Sequence, residues 1–123
     1  MATREDIEHY LIQINHFFET IRDNMWIIHN TVNIVIIHAP PLVIFRAKLM
    51  EVPKNDREIF YKLLLELNAS QMVHGAYGIE DNNVVIIDTL EVENLDFNEF
   101  QASLDAISLT TSQDYHRLKT FRD

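Results

Sequence analysis

The chain has no cysteine, two glycines and three prolines among its 123 residues. Without cysteine there is no disulfide framework and no thiolate metal site, which fits a reducing compartment. No apolar run approaches the roughly 20 residues of a membrane-spanning helix. The opening MATREDIEHY is charged where a signal peptide carries its apolar segment. The expectation is a cytoplasmic protein without membrane contact. Basic residues are scarce too: 10 Lys and Arg against 19 Asp and Glu give a formal net charge of -9. Repulsion from phosphate backbones therefore argues against general nucleic-acid binding. The one local basic cluster, His116, Arg117, Lys119 and Arg122, reads as a charge bias that suits a helix C-terminus. The acidity itself fits a basic or amphipathic partner, and equally simple solubility.

What the chain does have is periodicity. Hydrophobic residues make up 47% and charged residues 24%, which suits one folded domain with a core rather than a disordered segment. From Thr3 to about Asp23, Ile7, Leu11, Ile14, Phe18 and Ile21 recur at helical spacing, widened by Tyr10 and Phe17. Thr3 and Asp6 fit a capping box. One long first helix is expected. MWIIHN and the β-branched run Val32 to Ile37 predict two strands, the second ended by Pro40 and Pro41, which cannot donate to a ladder. LVIFRAKLMEV predicts a third, with Val43, Phe45, Ala47 and Leu49 on one face and Arg46 and Lys48 on the other. Asn55 and Glu58 stand at capping-box spacing before a second helix, carried by Ile59, Phe60, Leu63, Leu64 and Leu67 and ending near Asn68. QMVHGAYGIE and VVIIDTLEV predict two strands joined by a tight turn at Asp81-Asn82-Asn83. Asn94 or Asp96 opens a third helix, Asp96 and Glu99 at capping-box spacing, with fraying or a kink expected at Thr110 to Ser112. The order is helix, three strands, helix, two strands, helix. Strands joined by short turns imply an antiparallel sheet, and helices grouped around it make an α+β fold.

No catalytic constellation accompanies these elements. There is no G-x-S-x-G, and HGAYG lacks the spacing and the strand-then-helix context of a phosphate loop. The six histidines are scattered; His9 and His16 are seven apart, too far for one ion without a third element between them. No metal and no cofactor is expected. Asp88, Glu91, Glu93 and Asp96 are the densest acidic run, but strand alternation turns Asp88 away from Glu91 and Glu93. They read as solvated edge and cap charges, with an acid–base pair as the alternative.

Both glycines fall in HGAYG, His74 to Gly78. Glycine in a strand marks a bulge, a bend or a close approach. Gly75, Ala76 and Gly78 form a small-residue strip, with Tyr77 adding packing area, over which a helix or a second chain could sit. In that context ELNASQMVHGAYGIEDNNVVIIDTLEVENLDFNEFQASLDAI resembles the YbjN family, a branch of the type III secretion chaperone-like superfamily typified by the Tir chaperone. The matching pieces are Leu67-Asn68-Ala69, His74 to Gly78 and Glu91 to Asp96, with FRAKLMEVP (Phe45 to Pro53) as the preceding strand; together they span Val43 to about Ile107.

The resemblance implies a curved antiparallel sheet packed with helices. It also implies a small, acidic, cytoplasmic homodimer that wraps an extended effector segment around itself and keeps it competent for export. The leading expectation is thus a non-enzymatic chaperone-like or adaptor protein with a protein partner. A regulatory module of sensory or stress response, binding a signalling partner or small ligand, is the alternative. Candidate partner or dimer contacts are Gly75, Tyr77 and Gly78, with Ile44 and Met50 on strand faces. Ile34 and Ile36 belong to the same set, and all four could equally pack beneath the C-terminal helix.

Overall fold

Residues 1–14, 17–29, 32–72 and 74–122 are described by the computed structural model. The first helix, α1 (Arg4–Ile14), begins at the expected capping box. Thr3 Oγ1 accepts from the Asp6 amide at 3.2 Å, and the Asp6 carboxylate accepts from the Thr3 amide at 2.8 Å. The Thr3 amide, and the Thr3 hydroxyl donating to the same carboxylate at 3.1 Å, hold Asp6 below the usual carboxylate range. The helix does not reach Asp23. Phe18–Arg22 forms a strand, β1, paired antiparallel with β2 (Met25–Ile28). Asp23 and Asn24 make the two-residue turn between them, a residue pair that tolerates tight hairpin geometry. Phe18 then stands opposite Ile28, and Thr20 opposite Trp26. Four strands, not three, therefore precede the second helix. His16 lies outside the described residues, and with it the expected His9–His16 pair.

β3 (Ile34–Ala39) and β4 (Leu42–Glu51) follow, joined by Pro40 and Pro41, whose shared peptide bond is cis. β4 carries a bulge: its register with the sixth strand shifts between Lys48 and Met50. Leu49 becomes the extra residue, so Met50 rather than Leu49 continues the buried face. The second helix, α2 (Arg57–Ser70), begins after Asp56, which holds the N-cap position in a left-handed conformation (φ 58°) without a side-chain hydrogen bond to the helix. β5 (Ala76–Glu80) and β6 (Asn83–Glu91) form a hairpin across Asp81 and Asn82, both at positive φ (50° and 62°), as a primed turn requires. Val73, within the expected fifth strand, lies outside the described residues. Asp96 caps α3 (Phe97–Leu118) by accepting from the Glu99 amide at 2.8 Å. The helix runs unbroken through Thr110 to Ser112. The Thr111 and Ser112 hydroxyls donate to the Ser108 carbonyl at 3.0 and 2.9 Å and so remain satisfied inside it.

The six strands make one antiparallel sheet in the order β1-β2-β3-β4-β6-β5. Register places Trp26, Ile36, Phe45, Ile86 and Tyr77 on one face, all buried. Helices α1 and α3 cover that face. Phe100 of α3 meets Phe45 at 5.3 Å between ring centroids and Tyr10 of α1 at 5.4 Å. The Trp26 indole N–H donates to Glu8 of α1 at 3.3 Å. The opposite face carries Ile27, Val35, Ile37, Ile44 and Ile87, each only partly buried.

Candidate functional site

The two glycines do different work. Gly75 has φ +78°, and a Cβ there would stand 2.6 Å from the Ile87 carbonyl oxygen and 3.0 Å from Asp88 Cβ. Conformation and close approach to β6 both demand glycine at this entry to β5. Gly78 meets nothing nearer than Val85 Cγ2 at 4.0 Å, so a methyl group fits there. Tyr77 between them is not a surface contact. It points into the core, 6% exposed, and its hydroxyl donates to Asp114 of α3 at 2.5 Å, itself 2% exposed. Burial, then the hydrogen bond to Asp114 and that group's charge, push the Tyr77 phenol far above its ordinary value.

β5 ends the sheet, yet its outer edge is occupied. Asn68, near the C-terminus of α2, accepts from the Tyr77 amide at 2.7 Å and donates to the Tyr77 carbonyl at 3.2 Å. At Tyr77 a side-chain amide thus takes the place that a neighbouring strand's backbone would occupy. Replacing Asn68 by alanine should lower stability by about 1–2 kcal/mol, because two backbone groups lose their partner. Thermal unfolding measures that loss. Faster hydrogen exchange at the Tyr77 amide would locate it, and unchanged exchange there would refute it.

β1 ends the sheet on the other side, and no described strand or helix residue hydrogen-bonds its outer edge as Asn68 does for β5. Its surroundings are apolar and exposed: Phe17 is 67% exposed, Ile21 46%, and Ile12 in the last turn of α1 63%. A second exposed set lies on α2 and β5, with Ile59, Leu65 and Ile79. Of the other expected contacts, Ile44 lies on the partly open face, opposite Ile37 and Thr89. Met50, Ile34 and Ile36 are buried, because the core beneath the helices needs them; Met50 is 7% exposed. Tyr77 and Met50 therefore leave the set of surface contacts, and Ile44 and Gly78 stay in it.

A cleft of about 860 Å³ opens where β4 runs on beyond the start of β3. Arg46, Lys48 and Val85 line it from the sheet, and Thr111, Tyr115 and His116 line it from α3.

With this geometry in view, the family model CesT_Tir_1, of the type III secretion chaperones, matches residues 1–123. The chain belongs to this family. Solved structures agree on the fold. The ExoU–SpcU heterodimer from the type III secretion system of Pseudomonas aeruginosa contains a chain matched with TM-score 0.73 at 16% identity, over 95% of this chain and 98% of that one. YbjN from E. coli gives TM-score 0.70 at 16% identity, over 94% and 93%. The Yersinia pestis type III secretion chaperone SycH, in complex with a stable fragment of YscM2, gives 0.66 at 8%, over 90% and 98%. No curated protein sequence matches.

In the CesT_Tir_1 fold Asp88 and Glu91 do not converge. Asp88 stands opposite Phe45 on the helix-covered face, half-buried, whereas Glu91 stands opposite Leu42 on the other side. Asp96 is consumed as the α3 cap. Among the described residues no group of His, Asp and Glu could hold a metal ion, and no helix is long and apolar enough to cross a membrane. The β1 edge escaped the sequence reading because Phe18 and Ile21 also satisfy helical spacing. The Asp23-Asn24 turn was the available signal.

Proposed function

We propose that this CesT_Tir_1 protein is a non-enzymatic, chaperone-like or adaptor protein of the cytoplasm that holds an extended segment of a partner protein. The segment adds to the sheet at β1. The observation that carries this reading is the asymmetry of the two sheet edges: Asn68 occupies the β5 edge at Tyr77, while among the described residues no such bond covers β1, which is flanked by exposed Phe17 and Ile21. Backbone hydrogen bonds along β1 would supply affinity and the apolar side chains specificity. The SpcU and SycH structures, both solved with a protein bound, support a protein-binding role.

The test compares capture of partners from native cells by the tagged wild-type protein and by a Phe17→Asp, Ile21→Asp double variant. One near-stoichiometric partner should be held by the wild type and reduced at least tenfold with the variant. In the complex, hydrogen exchange should slow at the β1 amides. A partner that the variant retains in full, or protection confined to other strands, overturns the reading.

The proposed assembly is a homodimer through the outward side of α2 and the adjoining end of β5, where Ile59, Leu65 and Ile79 are exposed. Leu65→Glu should then give the monomer mass in light scattering. Gly78→Leu, on the other face of β5, should leave the dimer mass unchanged, whereas a bulky residue at Gly75 would strike β6 within its own chain.

A further inference from the structure

The cleft at the start of β3 differs in charge from the rest of the molecule. Three of the chain's ten Lys and Arg residues, Arg46, Lys48 and Lys119, line it, against two carboxylates, Glu80 and Asp81. Elsewhere acidic residues outnumber basic ones by more than two to one. Glu80 is already engaged, with Arg46 at 3.0 Å. That ion pair holds one terminal nitrogen of Arg46 and leaves its Nε buried without an acceptor. Lys48 makes no ion pair among the described residues. The Lys119 ammonium stands 5.9 Å from the centre of the Tyr115 ring, which keeps it at the α3 wall of the cleft.

The cleft is also apolar enough to hold more than an ion. Val32, Val35, Leu49 and Val85 form its dry wall, and Thr111 and Ser112 bring hydroxyls from α3. Its volume of about 860 Å³ falls in the range of roughly 300–1,000 Å³ usual for small-molecule sites. Convergent cations and an orphaned guanidinium N–H beside a dry wall select one ligand chemistry.

We infer that this cleft binds a small organic anion, a carboxylate or phosphate head on an apolar body, with the head between Arg46, Lys48 and Lys119. Arg46 Nε donates to the head, and the body lies against Val35 and Val85. The site is built from β3, β4, β6 and α3 and does not use the β1 edge. Its failure leaves the partner-binding reading standing, and the converse holds.

The probe is 8-anilinonaphthalene-1-sulfonate, an aromatic anion, set against its neutral counterpart N-phenyl-1-naphthylamine. Fluorescence titration of the wild type should show one anionic probe per chain. An Arg46→Gln, Lys48→Gln variant should bind the anion at least tenfold more weakly and the neutral probe within twofold of wild type. The Arg46–Glu80 pair is well exposed, so the variant should keep its fold, and thermal unfolding checks this. Ser112→Trp, an exposed helix position, should fill the cleft and weaken both probes. Unchanged anion binding in both variants overturns the inference. So does loss of binding in the Phe17→Asp, Ile21→Asp variant instead, which would place the probe on exposed apolar surface. Native mass spectrometry of protein from its own cells identifies the ligand: a retained small acid or phosphate ester is the expected species. Displacement of the probe only by an acidic segment of a partner protein would assign the cleft to that partner and overturn the small-molecule inference.

Discussion

Gly75→Ala should unfold at a temperature lower by on the order of 10 °C, while Gly78→Ala unfolds close to wild type. At Gly75 two costs combine. A left-handed backbone costs a residue with a Cβ about 1–2 kcal/mol. The added methyl must also displace the Ile87 carbonyl from 2.6 Å, and such overpacking typically costs about 1–3 kcal/mol. Together they remove about 3 kcal/mol, a large share of a small domain's stability. Backbone on the facing strand cannot swing aside as a flexible side chain can, so relaxation recovers little. Gly78 carries neither cost, and alanine there limits the unfolded chain, so the change should stay within about 1 kcal/mol and favour the folded state. Thermal unfolding of the two variants side by side decides it. Equal midpoints would mean that β6 does not press on Gly75.

That contrast marks how much of the molecule could be read from residues alone. HGAYG announced a backbone constraint, but nothing in it distinguished the glycine that meets β6 from the one that faces open space. The Asp81-Asn82 turn and the Thr3 and Asp96 caps were legible because each depends on a few neighbouring residues. β1 was not, since FFETIR fits helical spacing and strand composition alike, and only pairing with Trp26 and Ile28 decides between them. The Lys48–Met50 bulge was hidden for a related reason: strand alternation assumes an unbroken register. Ile34 and Ile36 could lie under a helix or under a partner until the covered face was known. The cleft joins Arg46 and Lys48 to His116 and Lys119, about 70 positions away in the chain, and such juxtaposition has no local signature. The C-terminal basic cluster also serves as a helix-end bias, with His116 and Arg117 in the last turn of α3.

Tyr77→Phe should cost about 2–3 kcal/mol at neutral pH, because it leaves the buried Asp114 side chain without the hydroxyl that donates to it. Asp114→Asn keeps an acceptor for that hydroxyl and should cost less. The pH dependence separates this bond from simple packing. The folded phenol is held far above its ordinary value of 10.0, so above that pH the unfolded chain gives up the Tyr77 proton while the folded chain keeps it. The unfolded state then binds fewer protons, and stability falls as pH rises, by up to about 1.4 kcal/mol per unit. The contribution is complete below pH 10 and drains away above it. Chemical denaturation of wild type and Tyr77→Phe from about pH 8 to pH 11 should show the gap between them constant at first and then narrowing. A gap that stays constant throughout would place the hydroxyl in contact with water.

The unequal ends of the sheet also limit what the chain can build from itself. A sheet with two receptive edges can pass strands from copy to copy and grow into a filament, since head-to-tail contacts need not close. Here Asn68 already holds the Tyr77 backbone at one end, so a strand arriving there must displace it. Among the described residues the β1 edge carries no such bond. Strand addition is thereby directed to β1, which disfavours a head-to-tail stacking of the sheet with copies of itself.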